Sequence, residues 1–439
     1  MLVVGLGRFG GGVGATRWLA SRGAIVTVTD QARPETLAES VEAVSDLDIA
    51  LHLGKHDLGD LDEADLVVIN PAVRKARSKL FQAVVRRNLP WTTEMRLFCE
   101  RCPGKVVGVT GTYGKSTTCA MLAEALEACR RAGCVNYTGV HLGGNIGRSL
   151  LTELDAIRST DLVVLEMSNA QLEDLHPAQW ASSLAVITNL SPHHLDRHGA
   201  YAEYVAAKLN IVGDPTSTGK LVVGEVDSEA EAIVRRSVAD YATRLVRVVP
   251  PDPPIELRLP GRHNQANAAC VLTVCRQLGL DEAVVRGALR SFAGLPHRLE
   301  HVRKLDRVDY YNDSKSTSPA ATVTAVEALK QPIVAIVGGQ RKRTSLAALA
   351  DTLTGKCRLV ICTGESGPVL ARAIRAAERK TDRGIAREAG GLREAVELAR
   401  IKARPGDAIL FSPGAPSFDA YANFVDRGRH FAAIVNALS

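Results

Sequence analysis

Residues 106–118 read VVGVTGTYGKSTT, and this stretch decides the fold. The β-branched run 106–110 predicts a strand, and the residues after Gly114 have the composition of a helix. A strand that passes through a glycine loop straight into a helix turns backbone N–H groups toward phosphate oxygens. Lys115 adds a point charge suited to the β- and γ-phosphates, and the Ser116 hydroxyl can ligate Mg²⁺. Gly111, Gly114, Lys115, Ser116 and Thr117 stand together in this loop. A strict GxxxxGK[ST] match fails because Val109 occupies the first glycine position. The competing interpretation is a tight strand-to-helix turn with a solvated lysine.

Three clusters lie close downstream. VLEMSNAQLE (164–173) puts Glu166 at the end of an apolar strand, where a lone carboxylate needs a cation or hydrogen-bond donors. ITNLSPHHLDRHG (187–199) follows another strand and carries His193, His194, Asp196 and His198. YAEYVAAKLNI (201–211) is helical, with Lys208 on the face of Tyr204 and Ile211. Singly, these are a strand-end acid, a polar loop and a snorkelling lysine. Beside a phosphate loop they fit an ATP site that uses divalent cations and hard oxygen ligands. Further on, GRHNQANAA (261–269) opens a helix with Asn264 and Asn267 on one face, Asn264 acting as a cap or as a ligand contact. YYNDSKSTSP (310–319) has more hydrogen-bonding capacity than a turn requires.

The alternation of strand and helix extends over the whole chain. Strands are predicted at 2–5, 25–29 and 66–69 with a helix at 15–21; then at 162–166, 184–188 and 221–223; then at 333–337, 359–362 and 408–411, with helices around 345–353, 367–378 and 391–402. Such alternation implies parallel sheets with crossover helices. A boundary falls at Cys102-Pro103-Gly104. VPPDPP (249–254) sustains neither ladder nor helix and is a surface connection, followed by a helix at 265–277, and a third unit begins near Pro296. The 439 residues suffice for about three domains, so the fold class is three consecutive α/β units. GLGRFG (5–10) leads from the first strand into a helix, with Asp30 twenty residues beyond Gly10. That is the setting of a dinucleotide fingerprint, although no hydride-transfer site accompanies it.

Composition narrows the function. The charged fraction of 23% disfavours wholesale disorder, and the balance of 54 Lys and Arg against 48 Asp and Glu gives +6. This mild excess suits anionic substrates such as nucleotides or a plain solvated surface, and it does not argue for nucleic acid. Nine cysteines without framework spacing point to reduced thiols. MLVVGLG has no signal-peptide character, and no apolar run approaches the ~18 residues of a membrane span. A cytoplasmic protein with no membrane partner is the expectation. The chain begins almost inside its first strand, which leaves room for a missing upstream segment.

In order along the chain, GTYGKST (111–117), GGNIG (143–147), the Glu166 strand, the run His194-Leu195-Asp196-Arg197, the AAK ending at Lys208, GRHNQAN (261–267), His297-Arg298, NDSK (312–315) and SPGAPSFDAYANF (412–424) resemble the motifs of the Mur ligases, most closely the D-glutamate-adding branch. The resemblance spans essentially the entire chain. It implies a Rossmann-like N-terminal domain (1–102) for the UDP part of the substrate, a central P-loop ATPase (103–296), and a Rossmann-like C-terminal domain (297–439) for D-glutamate. It further implies that ATP phosphorylates the carboxylate of UDP-N-acetylmuramoyl-L-alanine and that D-glutamate attacks the acyl phosphate. Gly111, Thr112, Tyr113, Gly114, Lys115, Ser116, Thr117, Asn264, Arg298 and Asp313 would then contact ATP. Asn145 and His194 would lie near the muramoyl substrate, and Lys315, Thr317, Lys342, Ser417, Phe418 and Phe424 in the D-glutamate pocket. Ser116 with Glu166 would hold one Mg²⁺, and His194 with a CO2-carbamylated Lys208 a second, because an ammonium has no lone pair to offer. Lys115, Glu166, His194 and Lys208 would be the catalytic set, in a monomer.

Several positions depart from the family pattern. Tyr113 replaces an Asn, His193 stands where an acid is common, and GGQRK (338–342) replaces GGDGK, either strengthening an anion site or forming a solvated basic loop. Arg8, Phe9 and the Gln31-Ala32 pair differ at the uridine end. The alternatives are another Mur ligase or a folylpolyglutamate synthase-like ligase, a nicotinamide-dependent oxidoreductase, and a catalytically silent nucleotide binder.

Overall fold

Runs of Val, Ile and Leu with no polar partner make strands that are buried on both faces, and such strands pair in parallel under a cover of helices. Three sheets result. The first comprises β1 (Leu2–Val4), β2 (Thr27–Asp30), β3 (Ala50–Leu53), β4 (Val67–Ile69) and β5 (Trp91–Thr92), in the order β3-β2-β1-β4-β5. The second comprises β6 (Lys105–Thr110), β7 (Val140–Gly144), β8 (Leu162–Glu166), β9 (Leu184–Leu190), β10 (Lys220–Val226) and β11 (Leu245–Arg247), in the order β11-β10-β9-β6-β8-β7. Both are parallel throughout. The third comprises β12 (Glu300–Leu305), β13 (Val308–Asn312), β14 (Ile333–Val337), β15 (Cys357–Cys362), β16 (Ala386–Glu388) and β17 (Ala408–Phe411), in the order β12-β13-β17-β14-β15-β16. Only its β12–β13 pair is antiparallel. The computed structural model describes residues 1–439 apart from 9, 148, 176–179, 194–197, 214–218, 239–240, 343 and 379–383.

The chain separates into two compact units. Residues 1–255 with 265–290 hold the first two sheets, and residues 256–264 with 291–439 hold the third. The strands predicted from apolar runs are the central ones, such as β14, which is buried along its whole length. Missing from the sequence-based set are edge strands such as β3 and β12, whose residues are exposed or half-buried and mix polar with apolar side chains. The first helix is longer than expected. It starts at Gly11 and not near 15, because Gly10 takes a left-handed cap conformation that no apolar periodicity announces.

Strand order reverses between β1 and β4 in the first sheet and between β6 and β9 in the second. At such a switch the following loops diverge and leave a crevice outside the carboxyl ends of the strands. GLGRFG follows β1, and GTYGKST follows β6. None of the nine cysteines, all among the described residues, is in a disulfide. Among the described residues no helix is long and apolar enough to cross a membrane.

Candidate active site

β6 runs directly into the glycine loop. A side chain on Gly111 would meet Thr188 Oγ1 at 2.0 Å, and one on Gly114, at φ +79°, would lie 2.3 Å from Asn267 Oδ1. Only glycine fits either position. The carboxyl end of β9 grips the loop: the Thr112 N–H donates to Asn189 O (3.0 Å), the Tyr113 N–H to Asn189 Oδ1 (3.0 Å), and the Tyr113 carbonyl accepts from Thr188 Oγ1 (2.7 Å). The Thr112 hydroxyl accepts from Tyr204 (2.9 Å) and from the Ser191 N–H (3.1 Å). The loop is therefore shaped before any nucleotide arrives. It leads into helix Lys115–Arg131, whose first turn buries Ser116 and Thr117, while Tyr113 is half exposed.

Two lysines converge on one carbonyl. Lys115 Nζ donates to Gly111 O and Thr112 O, both at 3.0 Å, and Lys208 Nζ donates to the same Gly111 O at 2.9 Å and to Thr110 Oγ1 at 3.3 Å. Lys208, from helix Tyr201–Leu209, is 1% exposed and sits 4.8 Å from the Tyr204 ring centre. Burial, reinforced by the Lys115 charge and opposed by Glu166, brings its pKa down from 10.5 to about 6. The amine is mostly neutral at neutral pH. Glu166 ends β8 and is also 1% exposed; its Oε1 accepts from Asn145 Nδ2 at 2.8 Å, whereas the buried Oε2 has no hydrogen-bond partner among the described residues. An unmet buried carboxylate oxygen calls for a cation. With the Ser116 hydroxyl it offers hard oxygen donors of the kind Mg²⁺ takes. Among the described residues no three His, Cys, Asp or Glu gather into a metal cage.

His194, with Leu195, Asp196 and Arg197, lies outside the described residues. Its neighbour His193 meets Tyr113 edge-on at 5.6 Å, so two departures from the family pattern pack against each other. His198 is buried and contacts Asn169 and Glu173.

In the other unit the loops after β13, β17 and β14, neighbours in the sheet, leave at one edge. Asp313 is buried and accepts from the hydroxyls of Ser316 and Ser412 and from the Leu299 N–H. Desolvation raises its pKa to about 6 against these hydrogen bonds and the Arg298 charge. Lys315 is exposed, with its Nζ 3.8 Å from the centre of the Phe424 ring. Thr317 and Phe424 are partly buried, Ser417 is buried, and Lys342 and Phe418 are exposed. Asn264 is not a helix cap: helix Arg262–Gln277 begins two residues earlier, and its Nδ2 donates to Pro260 O at 2.7 Å. Sequence reasoning missed Arg427, a buried guanidinium bound to Ser314 and Ala415. Its one signal was a cation on the apolar face of helix Phe424–Asn436, in register with Phe431 and Ile434.

In the first sheet, Asp30 accepts from the Gly7 N–H (3.0 Å) and the Ala32 N–H (2.8 Å), so the acid braces the GLGRFG loop. Asn70, after β4, packs against Gly5 and donates to its carbonyl. Phe9 lies outside the described residues.

Comparison with known proteins agrees with this architecture. Family profiles match in chain order: "Mur ligase MurD-like, N-terminal domain" over 1–89, "Mur ligase middle domain" over 109–249, and "Mur ligase, glutamate ligase domain" over 297–414. Among curated relatives, the UDP-N-acetylmuramoylalanine--D-glutamate ligase of Symbiobacterium thermophilum is 36% identical, with 96% of this chain and 95% of the relative covered. The enzyme of the same name from Roseiflexus sp. is 34% identical over 100% and 98%. Of solved structures, UDP-N-acetylmuramate-alanine ligase MurC from Thermotoga maritima shares the fold with a TM-score of 0.64 at 20% identity over 99% of both chains. Folylpolyglutamate synthase from Mycobacterium tuberculosis, complexed with ADP, gives 0.56 at 16% identity over 77% of this chain and 94% of its own. Three sheets in the expected order, a braced phosphate loop and full-length identity above 30% lead to one assignment: this chain belongs to the Mur ligase family.

Proposed function

We propose that the chain is an ATP-dependent amide ligase that adds D-glutamate to UDP-N-acetylmuramoyl-L-alanine during peptidoglycan precursor synthesis, acting as a monomer in the cytoplasm. The observation that carries this reading is the full-length likeness to relatives named for that activity, 30–36% identical. In the division of labour, residues 1–102 hold the UDP moiety, 103–296 hold ATP, and 297–439 hold D-glutamate.

A carboxylate is a poor acyl donor because its charge is delocalised and its oxygen is a poor leaving group. Transfer of the γ-phosphoryl group of ATP to that oxygen supplies the leaving group; the amine of D-glutamate then adds to the carbonyl carbon and phosphate departs. The loop amides of residues 111–117 cradle the phosphates, and Lys115 moves from its carbonyl contacts to the transferring group, where charge builds. Asn264, Arg298 and Asp313 complete the ATP contacts. Mg²⁺, when bound, draws charge from the phosphoryl oxygens and the departing ADP. Glu166 Oε2 and Ser116 would hold one such ion, and His194 with Lys208 another. For that role Lys208 must become anionic: its neutral nitrogen adds to CO2, an N–C bond forms and a proton leaves, giving a carbamate. The low pKa of about 6 supports this, since a protonated amine cannot attack. Asn145 and His194 orient the muramoyl substrate. Lys315, Thr317, Lys342, Ser417, Phe418 and Phe424 receive D-glutamate, cations and hydroxyls facing its two carboxylates.

The test is phosphate release by purified protein with ATP, Mg²⁺ and UDP-N-acetylmuramoyl-L-alanine, supplied in turn with D-Glu, L-Glu, L-Lys and meso-diaminopimelate. Turnover is expected with D-Glu alone, and its absence defeats the assignment. Lys115→Ala should stay folded and lose turnover by about 10³-fold.

A further inference from the structure

Arg427 occupies an unusual position for a cation. It is 3% exposed, and the one carboxylate whose charge is felt there among the described residues, Asp419, makes no hydrogen bond to it. Its hydrogen bonds go to neutral groups of two loops. Nε donates to Ser314 Oγ (3.1 Å), Nη2 to Ser314 O (2.9 Å) and Nη1 to Ala415 O (3.0 Å). Ser314 is in the loop after β13 and Ala415 in the loop after β17. The third neighbouring loop, after β14, is drawn in by close packing: a Cβ on Gly339 would lie 2.9 Å from Arg427 Nη1 and 2.4 Å from Pro416 O, so this glycine lets the loop come down on the guanidinium.

The three loops are also laced to one another. Gln340 N–H donates to Pro416 O (2.8 Å), Gly338 N–H to Pro413 O (2.8 Å) and Gly414 N–H to Ser316 O (2.9 Å), while Ser314 Oγ donates to Phe424 O (2.8 Å). Arg427 sits at the node. Every residue assigned above to the D-glutamate pocket is one of these loop residues or a close chain neighbour: Lys315 follows Ser314, Lys342 is two beyond Gln340, Ser417 follows Pro416, and Phe424 carries the carbonyl that Ser314 binds.

A planar guanidinium presents five N–H donors in a fixed fork, so one group can satisfy acceptors lying in different directions; the ammonium of a lysine gathers its donors on a single nitrogen and cannot span them. Burial lowers the Arg427 pKa to about 10, which still leaves the group charged at neutral pH. The Asp419 charge and Tyr421 oppose that fall, so the guanidinium remains a cation beneath the loops it binds.

We propose that Arg427 is the positioning residue of the amino-acid pocket: by clamping the loops after β13, β17 and β14 it fixes the spacing of Lys315, Lys342 and Ser417, and thereby sets the affinity for D-glutamate without touching it. The inference rests on the D-glutamate reading of the previous section.

The experiment compares full-length wild type with Arg427→Met, Arg427→Lys and Arg427→Ala, measuring kcat, the KM for each of the three substrates, and thermal unfolding. Arg427→Met should raise the KM for D-Glu about tenfold or more while leaving the KM for ATP and for the UDP substrate within about twofold. Arg427→Lys, which keeps the charge and safeguards against misfolding of the apolar variant, should show the same split, because the fork and not the charge alone does the clamping. Millimolar guanidinium added to Arg427→Ala should bring the KM for D-Glu back toward wild type. A parallel rise in all three KM values, an unchanged KM for D-Glu, or full rescue by lysine overturns the proposal. Wild type saturated by a different amino acid would defeat the D-glutamate reading, and the same KM comparison with that amino acid would still decide the role of Arg427.

Discussion

Two buried basic side chains stand near the carboxyl ends of strands in two sheets, and their surroundings leave them in opposite charge states. Lys208 is enclosed beside a second cation, Lys115, with which it shares the Gly111 carbonyl, and burial with that neighbour makes protonation unfavourable. Arg427 is nearly as deeply enclosed, yet its three hydrogen bonds go to a hydroxyl and two carbonyls, and its charge survives. The side chain explains the outcome. A lysine ammonium is a point charge whose proton is readily lost on desolvation, whereas guanidinium delocalises its charge and spreads it over five donors. Burial therefore leaves a neutral nitrogen at the lysine and a permanent cation at the arginine.

The sharpest way to break this contrast is to exchange the two residue types. Lys208→Arg puts a permanent cation in place of the titratable nitrogen, and turnover should fall by about 10³-fold, with Lys208→Met equally impaired. An active Lys208→Arg enzyme would mean that neutrality at this position is irrelevant. A CO2 adduct seen by intact mass in bicarbonate, present in wild type and absent in Lys208→Met, would sharpen the same point.

A smaller loss follows from the orphaned carboxylate oxygen. Glu166→Gln should lower turnover about 100-fold and raise the Mg²⁺ concentration needed for half-maximal rate, because the charge attracting the cation is gone while the Asn145 contact persists. An unchanged Mg²⁺ titration would exclude Glu166 as a ligand.

Stability should divide the two side chains in the other direction. Arg427→Met strands three acceptors in the interior and should cost about 2 kcal/mol or more, read from chemical denaturation. Lys208→Met removes a badly placed buried amine, and the Gly111 carbonyl keeps its bond from Lys115, so its unfolding free energy should stay within about 1 kcal/mol of wild type. A larger loss for Lys208→Met than for Arg427→Met would reverse the comparison.

The smallest effect concerns Asp313, whose carboxyl is held at a pKa of about 6 by burial against an ordinary 3.8. Between those values the native state binds more protons than the unfolded chain, so this group's contribution to stability declines as pH rises through that interval. Asp313→Asn lacks the decline, and its melting temperature should gain on wild type between about pH 4 and pH 6. A constant difference across that range would show that Asp313 titrates normally.

Much of the fold was legible because its signals are local. The runs 333–337 and 408–411 are apolar at every position and became central strands; β3 and β12, at sheet edges, carry mixed patterns and escaped. Gly111 and Gly114 could be read as a phosphate loop since turn chemistry depends on adjacent residues. Glu166 and Lys208 could be singled out as candidates, but the sequence could not distinguish a snorkelling lysine from one enclosed at 1% exposure. Arg427 escaped altogether, its partners lying 12 and 113 positions away.

The sequence by itself determined the strand-loop-helix units, their order and the identity of the motifs, because periodicity and turn preference act over a few residues. Only the tertiary structure decided the electrostatic character of the sites. It set Lys208 and Lys115 on one carbonyl, left Glu166 Oε2 unmet, and placed Arg427 between loops that the sequence separates by about a hundred residues. Desolvation and Coulomb energy depend on which distant segments pack together, and no local pattern encodes that.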